Sequence, residues 1–190
     1  GVCAVYGGAH FDPICTHALG LLFQMISAEG AHEEEAGSAT DNATSSVLKV
    51  CQHRPELCDP SQVLPVLLPH FPLRWDLVEA HDAHARLVQM ISDGNNSVII
   101  GAEFSNLPEI VRFFAEAMKY QEPEDEEQYS DNESLWESQL VTKDTRQQIE
   151  QLLQKMSASI PAEIMNAAVG QLDDEQRCAL QMPTSVFIVT

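Results

Sequence analysis

The sequence predicts an all-α fold built as a row of short helical hairpins. Apolar residues recur at helical spacing in segment after segment, most of which carry their own start signal. Proline falls in or near the first turn of several of these segments, where a missing backbone N–H costs nothing. The clearest hairpin, residues 41–74, is too small to bury both of its faces, so it needs similar hairpins on either side.

In order, Gly1 to Tyr6 reads as the last turn of a helix stopped by Gly7-Gly8, so the chain is expected to be part of a longer protein. Pro13 opens an apolar helix through Ala18, Leu19, Leu21, Leu22, Met25 and Ile26, ending near Ser27. Residues 29–40 carry Glu29, Glu33, Glu34 and Glu35 among small residues without an apolar period, which predicts a mobile acidic loop. Ala43, Val47, Leu48 and Cys51 then share one stripe of a helix opening at Asp41/Asn42. After a turn containing Pro55, Asp59 and Pro60, Ser61 is expected to cap a second helix. It runs through Val63, Leu64, Val66, Leu67, Leu68 and Phe71, and Pro72 stops it. Pro65 and Pro69 each delete a donor, so that helix is predicted to be kinked or short.

Trp75/Asp76 begin a helix to about Asp93, with Leu77, Ala80, His84, Val88 and Ile91 inward and a stop at Gly94-Asn95-Asn96. Val98 to Ile100 is expected to be an apolar loop plug. Leu107 to Tyr120 is predicted helical, with Asn106 capping, Pro108 in the first turn, and Ile110, Val111, Phe113, Phe114 and Met118 buried. Residues 121–134 hold seven acids and form the second predicted acidic loop. A long helix is expected from Leu135 to about Ala158, with Leu140, Ile149, Leu152, Leu153 and Met156 inward and a break at Thr142 to Thr145. Pro161 starts Ile164 to Leu172, and Asp173-Asp174-Glu175 cap a last helix through Leu180. The tail, 182–190, is apolar and β-prone and has no assigned place.

The chain has 190 residues, 44% hydrophobic and 21% charged, enough for a sizeable globular core. Asp plus Glu number 29 against 10 Lys plus Arg, a formal charge of −19. That field repels nucleic acid and anionic lipid and attracts basic proteins. No run approaches the ~20 apolar residues needed to cross a bilayer, and no signal peptide opens the chain, so a soluble intracellular protein is expected. Cys3, Cys15, Cys51, Cys58 and Cys178 are odd in number and scattered, and read as reduced thiols serving as small apolar side chains. The three N-x-S/T sequons, at Asn42, Asn95 and Asn132, are then chance matches.

The prolines that open helices near residues 13, 61, 107 and 161 recur at roughly 46- to 54-residue spacing, against about 40–47 for paired-helix repeats of the HEAT or armadillo type. The predicted architecture is an α-α superhelix of about four hairpins over residues 1–181.

Tyr6-Gly-Gly, Phe11-Asp-Pro-Ile-Cys15, DNAT at Asp41 to Thr44, VLPVLL…PLRWD from Val63 to Asp76, SNLPEIVRFFAEA from Ser105 to Ala117 and QLDDEQRCALQ from Gln171 to Gln181 follow one another in an order that resembles the C-terminal end of large importin-beta-type karyopherins. The most similar subgroup is the one importing ribosomal proteins and histones. The resemblance implies outer A helices from 41, 76 and about 138, and inner B helices from 13, 61, 107 and 161. It also implies a nuclear transport receptor that shuttles between cytoplasm and nucleus. Such a receptor binds basic cargo proteins, contacts phenylalanine-glycine nucleoporins and releases cargo to Ran-GTP. In that family, Ran contacts lie mainly in N-terminal repeats and the best-defined cargo groove in central ones, outside this stretch. A HEAT scaffold subunit, organising a phosphatase or a membrane coat, is the alternative from another class.

Candidate contacts with basic cargo are the acids Glu33, Glu34, Glu35, Glu124, Asp125, Glu126 and Glu127. Cys51-x-His53-x4-Cys58 offers thiolate and imidazole, but a structural zinc needs four ligands and Cys51 is on a core stripe, so no metal is assigned. His81 and His84 read as packed, hydrogen-bonded histidines and not as ligands or bases. No phosphate loop, HExxH or GxSxG motif occurs, and neither an enzyme activity nor a cofactor is predicted.

Overall fold

The computed structural model of the chain describes residues 2–93, 96–119 and 139–180. The second acidic stretch (121–134), the expected helix start at Leu135 and the tail (182–190) lie outside them. The described residues are helical and include no strand. The helices are α1 (Val2–Tyr6), α2 (Asp12–Ile26), α3 (Glu34–His53), α4 (Pro60–Leu67), α5 (Leu77–Ser92), α6 (Asn96–Ile99), α7 (Leu107–Met118), α8 (Lys143–Ser159), α9 (Ala162–Val169) and α10 (Asp174–Ala179).

Most starts follow local rules. Proline lies in the first turn of α2, α4 and α7. The Asp76 carboxylate accepts the Glu79 N–H at 3.1 Å to cap α5, and Asp173 with Gln176 forms a reciprocal capping box on α10. α4 is short as its prolines predict: it ends after eight residues and gives way to a 3-10 turn at Leu68–His70 containing Pro69.

Four expectations are corrected. Residues 29–40 are not one loop, because α3 starts at Glu34 and already buries Gly37, Thr40 and Asp41. Glu34 and Glu35 suit its positive N-terminal end, and the packing face of its first two turns is made of small and polar side chains that carry no apolar period. Asp59, not Ser61, caps α4, since Pro60 takes the first helical position and puts the Ser61 N–H 2.9 Å from the carboxylate. Asn106 precedes α7 without a side-chain cap bond; its amide instead donates to Ile99 O at 2.9 Å. Val98 to Ile100 is not a loop: α6 ends at Ile99, and Ile99 and Ile100 are buried. The helix expected to run from Leu135 past Leu140 to about Ala158 is interrupted where its break was expected: residues 139–142 are not helical, and Thr142 caps α8, its Oγ1 accepting the Thr145 N–H at 3.2 Å.

The helices pack in two rows. α3 lies against α5 and α5 against α8, while the turn at Leu68–His70 lies against α7 and α7 against α9 and α10. α2 flanks α3. Between the rows, Phe71 meets Phe113 edge-on at 5.5 Å and Phe113 meets Phe114 at 5.4 Å, all three fully buried. Aromatic pairs of this geometry contribute about 0.5–1.5 kcal/mol beyond area burial. On α2, Ile14, Leu21 and Met25 form an exposed apolar stripe.

Gly37 is fixed by packing. A Cβ there would lie 2.3 Å from the Cδ1 and Cγ atoms of Trp75. Gly37→Val should therefore destabilise the fold by about 1–3 kcal/mol in urea titration and shift tryptophan emission, and adding Trp75→Ala should recover part of the loss.

Candidate functional site

The described acids predicted to meet a partner, Glu33, Glu34 and Glu35, are exposed at the start of α3. Glu124 to Glu127 lie outside the described residues. Around the described acids, basic charge is largely neutralised within the fold. Each of the six arginines faces a carboxylate: Arg54 with Asp12 and Glu56, Arg74 with Glu116, Arg86 with Asp82, Arg112 with Glu109, Arg146 with Glu150 and Arg177 with Asp174. Lys49 is shared by Glu79 and Asp82 at 2.8 and 3.0 Å. With the cations engaged this way, the remaining carboxylates dominate the field that a partner meets.

Beside these acids, α3 carries a buried carboxylate that sequence reading treated only as a helix start. Asp41 Oδ2 accepts the backbone N–H groups of Arg74, Trp75 and Asp76 at 3.0, 2.6 and 3.0 Å. The signal available in the sequence is the spacing Gly37, Asp41, Thr44 and Leu48, one helical face. Asp41, Arg74, Trp75 and Arg112 border a cleft of about 300 Å³ together with His32 and His70. Its guanidinium groups already have partners: Arg112 donates to the Leu68, Pro69 and Phe71 carbonyls, and Arg74 to Glu116. Burial alone would raise the Glu116 pKa, yet hydrogen bonds from Gln176, Lys119 and Arg74 outweigh it and hold the group at about 2.

A larger cleft of about 540 Å³ lies between α5 and α8, lined by Asp82, Arg86, Gln89, Asp93, Gln148, Gln151 and Lys155 among others. It offers hydrogen bonds of both polarities and brings no cysteine, serine–histidine pair or carboxylate pair into a shared reaction geometry. His81 and His84 are hydrogen-bonded, as their spacing predicts. His84 is fully buried, its Nδ1–H donating to Leu140 O at 2.7 Å and its Nε2 accepting the Leu73 N–H at 2.9 Å. His81 Nε2 donates to Gln139 O at 2.7 Å. Burial drives the His84 pKa down to about 3, partly opposed by the Leu140 bond. Cys51 and Cys58 approach to 2.9 Å between sulfurs, and the His53 ring of the same motif is exposed next to Arg86. Among the described residues, no group of three His, Cys, Asp or Glu side chains is placed to hold a metal ion.

No protein-family model matches the chain.

Two outcomes follow from this geometry. Asp41→Ala leaves three backbone donors without an acceptor and should cost at least about 2 kcal/mol of stability in urea, with Asp41→Asn losing less. His84 binds its proton more weakly folded, at about 3, than at its ordinary 6.5. Its contribution is therefore complete above pH 6.5 and is lost as pH falls toward 3, with a slope of about 1.4 kcal/mol per pH unit. His70, lowered by burial and by His32, acts in the same direction. Urea midpoints between pH 7.5 and 5 should fall in the native chain and flatten by about one proton in His84→Gln.

Proposed function

We propose that this chain is the C-terminal HEAT-repeat part of an importin-beta-type nuclear transport receptor that carries basic cargo proteins under Ran-GTP control. The observation that carries the reading is the row order. α3, α5 and α8 follow one another in one row, and the turn after α4, α7 and α9 in the other, which from residue 41 on matches the outer and inner helices that the resemblance implies, while α2, the inner helix it places before them, lies against α3. Hairpins stacked in chain order gain stability through nearest-neighbour interfaces, and the stack can continue into a superhelix.

The charge supports the same reading. A chain of formal charge −19 whose arginines are spent on intrachain ion pairs suits a basic protein and disfavours nucleic acid. Glu33, Glu34 and Glu35, projecting from the positive end of α3, are the described cargo contacts. Glu124 to Glu127 add to them in the acidic stretch before α8. Phenylalanine-glycine nucleoporins and Ran meet the receptor mainly through repeats beyond this stretch.

The test is cargo binding by the full-length receptor. Substituting Glu33, Glu34 and Glu35 by glutamine should weaken a basic cargo by about 0.5–2 kcal/mol at low ionic strength, and the difference should shrink in salt. Deleting 122–133 should act in the same direction. Unchanged affinity in both variants would remove the cargo role from these acids and favour a scaffold subunit without transport.

A further inference from the structure

We propose that Cys51 and Cys58 form an oxidisable dithiol, a site where a peroxide converts two facing thiols into an intrachain disulfide. Cys51 lies in the last turns of α3, and Cys58 closes the turn that leads into α4. Their sulfurs are 2.9 Å apart, and both residues are buried, at 1% and 3% exposure. The other cysteines are not so placed: Cys3 and Cys178 are exposed, and the described structure gives Cys15 no thiol partner at this distance.

The approach is held from both sides. Arg54 N–H donates to Val50 O at 2.8 Å at the end of α3, and Cys58 N–H donates back to Arg54 O at 3.1 Å. The Arg54 guanidinium ties the turn to Gly8 O and to Asp12 at the start of α2. His53, Pro55, Glu56 and Asp59, which flank the pair in the chain, are exposed, so the pair belongs to a turn at the surface.

The two thiols are chemically unequal. The hydrogen bond from Cys51 lowers the Cys58 pKa against the opposing effect of burial, while the same bond, and then burial, raises that of Cys51. Cys58 is thus the attacking sulfur and Cys51 the resolving one. Cys58 thiolate attacks one oxygen of hydrogen peroxide, the O–O bond breaks, and with one proton a water leaves, giving the sulfenic acid. Cys51 sulfur then attacks the Cys58 sulfur, the S–O bond breaks, and the hydroxide departs with the Cys51 proton as a second water. Two thiols lose two protons and two electrons, and one peroxide becomes two waters. The resulting ring would fasten the end of α3 to the start of α4 and fix the turn that anchors α2.

The full chain treated with hydrogen peroxide under conditions that keep its helical circular dichroism tests this directly. Trypsin does not cleave between Arg54 and Pro55, so both cysteines remain in the peptide 50–74. After alkylation in denaturant, that peptide should appear two hydrogens lighter than its reduced form and unalkylated, and reductant should restore both alkylation sites. In Cys51→Ser, whose hydroxyl keeps a donor beside Cys58 but cannot resolve it, Cys58 should instead accumulate as a sulfenic acid trapped by a cyclic 1,3-dione. Full alkylation of peptide 50–74 after Cys3 and Cys178 have been oxidised, or a Cys15–Cys58 crosslink in its place, would overturn the proposal. The wild-type peptide map decides the matter even where the variant does not fold.

Discussion

The arrangement of the two rows depends on one carboxylate. Asp41 projects from the middle of α3 and gathers three successive backbone N–H groups, those of Arg74, Trp75 and Asp76. Buried donors without an acceptor are costly, so this connection between the Leu68–His70 turn and α5 has one favourable seat. From that seat the neighbouring side chains reach their own partners. Trp75 lies over Gly37, Asp76 caps α5 while accepting from Asn42, and Arg74 reaches Glu116 on α7. Glu116 also accepts from Gln176 on α10 at 2.7 Å. A polar seam thus runs from α3 past the start of α5 to α7 and α10, beside the aromatic contacts of Phe71, Phe113 and Phe114.

Helix existence was legible where apolar periodicity and a start signal coincided, as in α2, α5, α7 and α10. It was illegible where burial uses small or polar residues. The first turns of α3 pack through Gly37, Thr40 and Asp41, and their complement is Trp75, distant in sequence, so no local period marks them as helix. Caps were legible only by residue type. Asn106 and Asp59 are both good cap residues, but the Asn106 amide is turned away to Ile99 O, whereas Asp59 accepts the Ser61 N–H of its own helix. The candidate acids Glu33 to Glu35 could be found by charge alone, whereas the Asp41 seam and the proximity of Cys51 to Cys58 required the folded chain.

Electrostatics divides the molecule into interior and surface. Between helices, part-buried carboxylates are matched: Glu79 and Asp82 share Lys49, and Glu116 is held ionised by three donors. His84 stays neutral because burial disfavours its charged form, and both ring nitrogens are satisfied, one by Leu73 N–H and the other by Leu140 O. This ties the start of α5's row to the segment before α8. What remains outside is excess negative charge on a stack of helices. Such a field attracts basic groups and repels anions.

The central claim, that this chain belongs to a Ran-governed transport receptor, is tested most directly by equilibrium binding of the full-length protein to Ran loaded with GTP or with GDP. The account predicts firm binding of the GTP form, much weaker binding of the GDP form, and loss of bound basic cargo on addition of the GTP form. Equal and negligible binding of both forms would contradict it.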